Sequence, residues 1–356
     1  MSREIDLSQC RRVLVTKLRH HGDVLLSSPV FQVLKQQYPH LEIDALVYED
    51  TSPMLAGHPA ISQLHCIDRQ WKKLGAGKHL AEERGLLKQL KARDYDLLIH
   101  LTESWRGAWL SRLLKPAYSV VRKYPGRSNR LWKNSFTHHY ASPAGNRRHT
   151  VDMHLDALRH IGVQPQSENK KLLLAVAEAD VKKVADQWPA AAGKTVLLHP
   201  TSRWMFKTWP ADKVAAVIRY LQQQGMNIVV TAAPAEKELN MVEEILQSVE
   251  QPVVNLAGKL SLKQLAAAID RADLFVGVDS VPMHIAAAMQ TPAVALFGPS
   301  GDNEWGPWMS PNQVIASDIS CRPCGQDGCG GSKVSDCLTM IEVERVCAAA
   351  MEWLTE

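Results

Sequence analysis

The pair Gly22-Asp23 stands after an apolar run, Arg12–Leu18 (RVLVTKL), and opens a helical stretch. A carboxylate at such a junction has two readings. It can cap the helix by accepting from free first-turn amides. It can also be a general base that takes a proton from an attacking hydroxyl. Further on, Thr201-Ser202 and Lys207-Thr208-Trp209-Pro210 follow a second apolar run, TVLLHP, and lead into a helix beginning at Pro210. Hydroxyls and an ammonium before a helix N-terminus suit a phosphate group, with Arg203 as a second cation. A solvated loop is the bland alternative. Gly277-Val278-Asp279-Ser280, with His284 five residues after the aspartate, forms a third strand-to-helix junction. A helix N-terminus there favours anionic and polar ligands. Equally, Ser280 can be a plain cap and His284 a core histidine.

Two further clusters carry chemistry of other kinds. Cys321-x2-Cys324-x4-Cys329-x7-Cys337 has a spacing that could hold a tetrahedral metal. Its four interspersed glycines make it a loop, and free thiols are the alternative. No step suggested by the other residues needs that metal. From Arg106 to Arg148 there are ten Lys or Arg and no acid, with Trp105, Trp109 and Trp132 in or beside the stretch. A solvated basic face is the usual reading of such a run. A surface for an anionic partner is the other.

The elements that must position these residues alternate. Strands are predicted at Arg12–Leu18, Ile43–Tyr48 and Tyr95–Leu101, with helices over roughly 24–38 and 81–93. After the polar stretch Gly162–Lys171 the pattern restarts. Strands are predicted at 195–200, 227–231, 253–256, 274–278 and 293–297, with helices near 212–224, 235–249, 262–272 and 283–289. An amphipathic helix over Thr339–Leu354 closes the chain. Such alternation means parallel sheets wrapped by helices, and 356 residues suffice for two domains of that kind. Doubly wound sheets bind ligands beyond the carboxyl ends of their strands, where all three junctions fall. Residues 1–150 carry 24 Lys+Arg against 13 Asp+Glu, and the rest carry 17 against 24, so the halves differ in charge and in expected partners. Neither a dinucleotide fingerprint nor a P-loop motif occurs, which speaks against hydride transfer and P-loop phosphotransfer. No apolar run reaches membrane-span length and the N-terminus does not read as a signal peptide. A cytosolic or membrane-peripheral location with reduced cysteines is expected.

In combination these residues resemble the bacterial lipopolysaccharide heptosyltransferases, a family of inverting glycosyltransferases. The resemblance spans nearly the whole chain and rests on VLVTKLRHHGDVLLSSP, HPTSRWMFKTWP, LAGKLSLKQLAAAI and VGVDSVPMHIAAAM followed by ALFGPS. DSVPMH is similar to the members that add a side-branch heptose. Val281-Pro282 stand where the family usually has a glycine, which removes the closest backbone approach to a ligand. The resemblance implies an α/β GT-B fold: two doubly wound, Rossmann-like domains facing across a cleft. Residues 1–168 would bind the acceptor, 169–338 the ADP-sugar donor, and 339–356 would form a C-terminal helix.

It implies transfer of heptose from ADP-L-glycero-D-manno-heptose, without a metal or other cofactor, to a heptose of the lipid A–inner core acceptor. Asp23 maps onto the catalytic base. Thr201, Ser202 and Lys207 map onto donor phosphate contacts, and Glu236 onto the ribose contact, with Glu238 two residues away. Asp279, Ser280 and His284 map onto the donor-sugar pocket. Arg122, Lys123, Arg127 and Arg130 would meet the phosphorylated acceptor and the anionic inner-membrane surface at its cytosolic face, with no nucleic acid involved. The competing readings are a nucleotide-sugar epimerase of the same fold, a nucleic-acid-binding protein using the basic segment, and a catalytically silent sugar-nucleotide sensor.

Overall fold

The computed structural model describes residues 5–143, 145–188 and 192–355. The chain forms two compact units, Met1–Ala144 with Thr150–Ala175 and Gly145–His149 with Val176–Glu356.

The first unit is built on six parallel strands: β1 (Arg12–Thr16), β2 (Glu42–Tyr48), β3 (Gln63–Ile67), β4 (Leu97–His100), β5 (Tyr118–Arg122) and β6 (His138–Tyr140). Their order is β3-β2-β1-β4-β5-β6. The chain therefore leaves β1 in one direction and returns to its other side at β4. The gap between the carboxyl ends of β1 and β4 is the topological switch point. Leu14, Leu46, Ile67 and Leu98 from the strands pack with Leu86 and Leu90 of helix Ala76–Ala92 and Leu110 of helix Trp105–Leu114. The helix expected over 24–38 is two helices, His21–Leu25 and Ser28–Gln37. Pro29 is the reason: it has no N–H to offer the Leu25 carbonyl, and its ring would crowd that carbonyl. The first unit also runs on past residue 168 to Ala175. Ser28 Oγ accepts from the Leu173 amide at 3.1 Å, and Leu172 and Leu174 are buried.

The second unit repeats the plan with β7 (Thr195–His199), β8 (Asn227–Val230), β9 (Val254–Asn255), β10 (Leu274–Val278), β11 (Ala293–Phe297) and β12 (Asn312–Ala316). The order β12-β11-β10-β7-β8-β9 puts its switch point between β7 and β10. Gly277 lets these two strands close up, since a Cβ there would fall 3.0 Å from the His199 carbonyl oxygen and 2.6 Å from the Phe275 ring. The C-terminal helix begins at Val343 rather than near 339, after a short turn of helix at Asp336–Thr339. It is part of this unit's core: Val346, Cys347, Ala350 and Leu354 pack with Val214, Ile218 and Leu221 of helix Ala211–Gln223. Residues 145–149 belong to the second unit, where His149 stacks on Trp308 at 4.4 Å and Asn146 Oδ1 accepts from the Glu304 amide at 2.8 Å. Among the described residues no helix is long and apolar enough to cross a membrane.

Candidate active site

At the first switch point, Lys17 is the residue after β1 and Leu101 the residue after β4. The buried Lys17 ammonium donates to the Leu101 carbonyl at 3.3 Å and to His154 Nε2 at 2.9 Å. It also pairs with Asp23 Oδ1 at 3.3 Å. Asp23 is not a helix cap. His20 holds the N-cap position and makes no side-chain capping bond, while Asp23 lies inside the first turn. Burial pushes the Lys17 ammonium pKa down, and the Asp23 carboxylate pushes it back up. Arg19, Glu103, Arg122 and Tyr124 share this neighbourhood electrostatically. Arg19 pairs with Glu103 at 3.1 Å, and burial pushes the Tyr124 phenol up to about 12. Sequence reasoning missed Lys17, His154 and Tyr124. The one available signal was a lone cation inside an apolar strand run.

At the second switch point the loop after β7 meets the turn after β10. Lys207 Nζ donates to Asp279 Oδ2 at 2.6 Å, joining two motifs far apart in sequence. Ser202 is buried and its Oγ accepts from the Trp204 amide at 3.3 Å. Ser280 is the N-cap residue of helix Val281–Met289, yet its hydroxyl turns back to the Val278 carbonyl at 3.3 Å and caps nothing. Pro282 takes one N–H out of that first turn. His284 is buried in the same helix. Thr201 is fully buried and donates to Glu238 Oε2 at 2.6 Å, and that carboxylate also accepts from the Ala233 amide at 3.3 Å. Thr201 and Glu238 thus tie the loops after β7 and β8 together. Glu236 is exposed at the head of helix Glu236–Gln247. Burial drives His199, at the end of β7, down to about 3, and its Nδ1 meets Thr231 Oγ1 at 2.9 Å.

The basic stretch is divided between the two units. Arg147 and Arg148 lie in the second unit. In the first, Arg106 makes two bonds of 2.6 Å to Glu83, and Arg112 donates to Ser135 Oγ at 2.7 Å. Arg127 donates to the Glu103 carbonyl at 2.7 Å and lies 5.6 Å from the ring centroids of both Trp105 and Trp132. Arg122 donates to the Pro143 carbonyl at 3.1 Å. Lys123 and Arg130 are exposed. Trp132, expected at a membrane interface, is instead 1% exposed and packs with Ala108, Val121 and Phe136. Trp109 is the exposed one, at 53%. For Trp132 the interface expectation fails, because a tryptophan in a basic segment can as well be the apolar plug under it. Of the four clustered cysteines, Cys321 and Cys324 are exposed and Cys337 is buried, all as free thiols. Among the described residues no group of three or more His, Cys, Asp and Glu is set to hold a metal ion.

Two doubly wound units, each with an acid–lysine pair at its switch point, describe a two-unit α/β enzyme of the GT-B glycosyltransferase class. Comparison with known proteins narrows this. The family described as glycosyltransferase family 9 (heptosyltransferase) matches residues 84–334. Lipopolysaccharide heptosyltransferase 3 of Escherichia coli K12 is 40% identical over 294 residues, which cover 82% of this chain and 83% of that one. A family 9 glycosyl transferase from Veillonella parvula superposes with a TM-score of 0.83 at 25% identity, over 97% of each chain. The E. coli heptosyltransferase WaaC with ADP superposes with a TM-score of 0.72 at 21% identity, over 96% of this chain and 99% of that one. The chain belongs to glycosyltransferase family 9, the heptosyltransferases.

Proposed function

We propose that this chain transfers heptose from ADP-L-glycero-D-manno-heptose to a heptose of the lipopolysaccharide inner core, at the side-branch position, with inversion. The observation that carries the reading is the Lys207–Asp279 pair at the second switch point. It joins the loop after β7, which also carries Ser202, to the start of helix Val281–Met289, at the place where such sheets bind nucleotides. As the glycosidic bond to ADP breaks, negative charge grows on the departing diphosphate. Lys207, Ser202 and the helix N-terminus are suited to stabilise it, so the cations at the diphosphate are the protein's own and no metal takes part. Thr201, whose proton goes to Glu238, serves by holding the loop. In this reading Glu236 contacts the ribose, and Asp279, Ser280 and His284 contact the donor sugar.

In the first unit, Asp23 takes the proton from the acceptor hydroxyl. The freed oxygen attacks the anomeric carbon opposite the leaving ADP, and configuration inverts in one displacement. The names of the relatives support the substrate. One is a lipopolysaccharide heptosyltransferase 3, and WaaC was solved with ADP and with ADP-2-deoxy-2-fluoro heptose. The test is incubation with ADP-heptose and cores truncated at successive sugars, in excess chelator, read by mass spectrometry. One added anhydroheptose on the core lacking only the side branch is expected. No product on any core, or product only when a divalent ion is restored, overturns the reading.

We also propose that the first unit works at the anionic face of the inner membrane. A groove of about 190 Å³ between helices Ala76–Ala92 and Trp105–Leu114 supports this. Leu80, Trp109 and Leu113 line it at 49%, 53% and 44% exposure, with Arg84 and the paired Arg106 and Glu83 among them. Exposed apolar side chains beside cations suit the interface of an anionic bilayer, where each cation contributes ~1 kcal/mol. The exposed Lys123 and Arg130 would add to that attraction. Replacing Trp109 and Leu113 by Ser, and separately Lys123 and Arg130 by Gln, is expected to weaken binding to phosphatidylglycerol vesicles. Acceptor KM should rise and donor KM stay. If vesicle binding and acceptor KM are indifferent to both pairs, the membrane reading is wrong.

A further inference from the structure

We propose that Lys17 is a positioning residue for Asp23, and that His154 in turn fixes Lys17. This rests on the reading of Asp23 as the base. An ammonium has three N–H donors. Lys17 has three acceptors around it: the Leu101 carbonyl at 3.3 Å, His154 Nε2 at 2.9 Å and Asp23 Oδ1 at 3.3 Å. Two of these contacts are hydrogen bonds and the third is an ion pair, and with the side chain buried the ammonium is held in one place. It holds Oδ1 of Asp23 in turn. Oδ2 makes no hydrogen bond among the described residues, so it is the oxygen left to take a proton.

His154 supplies the second half of the device. Its Nδ1 lies 3.0 Å from the Leu26 carbonyl, which can only accept. Nδ1 therefore carries the proton, and the Nε2 lone pair faces Lys17. Leu26 directly follows the short helix that carries Asp23. One imidazole from helix Thr150–Arg159 thus ties both the ammonium and the end of the Asp23 helix. A lysine kept only for charge would not need this. Arg19 and Arg122 already act on Lys17 as cations, and His100 and Tyr124 stand in the same surroundings, with His20 and His21 beside Asp23 in the chain. What Lys17 adds to these charges is a fixed contact with one carboxylate oxygen. Burial weakens its hold on its own proton, and the Asp23 carboxylate restores it, so the pair is mutually dependent.

The experiment uses the full-length chain with Lys17→Met, His154→Leu, His154→Gln and Asp23→Asn. The readouts are Tm, kcat, donor KM and the pH dependence of kcat/KM. Lys17→Met is expected to lower kcat by ~10²-fold, the scale of a misplaced reacting group, with donor KM unchanged. Its acid limb should move toward higher pH, because one close opposite charge is lost. His154→Leu should lower kcat less. His154→Gln should restore it, because its amide oxygen can accept from Lys17. If Asp23→Asn keeps its turnover, the base reading fails and this inference with it. If Asp23→Asn is inactive while Lys17→Met keeps wild-type kcat and acid limb, the base stands and the positioning role is wrong. Should Lys17→Met not fold, the His154 pair decides. Equal losses in Leu and Gln, with an unmoved acid limb, overturn the proposal.

Discussion

Asp23 and Lys207 take the two ends of the proposed displacement, and each is bound to a partner of opposite charge. For Asp23 the partner leaves one oxygen open. Asp23→Asn keeps shape and the Lys17 contact but cannot take a proton, so kcat is expected to fall ~10²- to 10⁴-fold. Calorimetric ADP affinity should hold, because the donor motif lies in the other unit. Near-normal turnover in this variant would reduce Asp23 to a structural ion pair. On the proposed role, Lys207→Ala is expected to lower ADP affinity roughly 10-fold or more, the worth of one charge-assisted bond to the diphosphate, and to slow transfer as well. Unchanged affinity and kcat would leave Lys207 as a clamp for Asp279 alone. The placement of both at a switch point was legible, because a charged residue at a strand-to-helix junction has few places to go. Lys17 was not, since a lysine closing an apolar strand run reads as an outward-pointing side chain. Only the fold shows it turned inward onto His154. The choice between Glu236 and Glu238 was equally closed to the sequence. Two residues apart on a helix they point in different directions, and the phase that buries Glu238 against Thr201 depends on a loop 37 residues away.

At the scale of elements, the helix Trp105–Leu114 shows how tightly the first switch point is built. Gly107 lies in its first turn, and a Cβ there would come 2.1 Å from Nε2 of the His100 ring. That ring cannot yield, being buried, bonded to Thr16 Oγ1 and held by the Ser104 carbonyl at 3.1 Å. Gly107→Ala is therefore expected to cost ~1–3 kcal/mol by overpacking, although Ala is the better helix former. Gly85, in helix Ala76–Ala92, meets nothing within 4 Å, so Gly85→Ala should stabilise by ~0.5–1 kcal/mol. Urea midpoints of the two variants test the contrast, and equal midpoints would show that the His100 contact limits nothing. The central strands and most helices were readable from apolar period. β3, β5, β6 and β12 were not, because each mixes polar and apolar residues, and QLHCI or HHY signals no buried strand. Their pairing comes from the neighbour already in the sheet, a long-range term that a window of sequence does not contain.

At the scale of the whole molecule, the two units share a feature with a consequence for pH. In each, a strand flanking the switch point ends in a buried histidine: His100 closes β4 and His199 closes β7. Burial holds His100 down to about 4 and His199 to about 3. An unfolded histidine titrates near 6.5. Below that value the unfolded chain takes up protons that the folded chain refuses, so stability falls as pH drops. Above about pH 7.5 neither histidine contributes appreciable pH dependence. At pH 5 each costs about 2 kcal/mol relative to pH 7, through linkage at 1.36 kcal/mol per pH unit. The loss strikes each sheet at a strand that flanks its switch point. Unfolding of the wild-type chain at pH 7 and pH 5 should show the gap. His100→Gln and His199→Gln each lower stability at pH 7, since each disturbs a packed hydrogen-bonded ring. Each should nevertheless narrow the gap between the two pH values by about 2 kcal/mol, because glutamine has no proton to gain. A gap of wild-type size in both variants would mean that the acid sensitivity arises from carboxylates, and that these two strand ends are not where protonation enters.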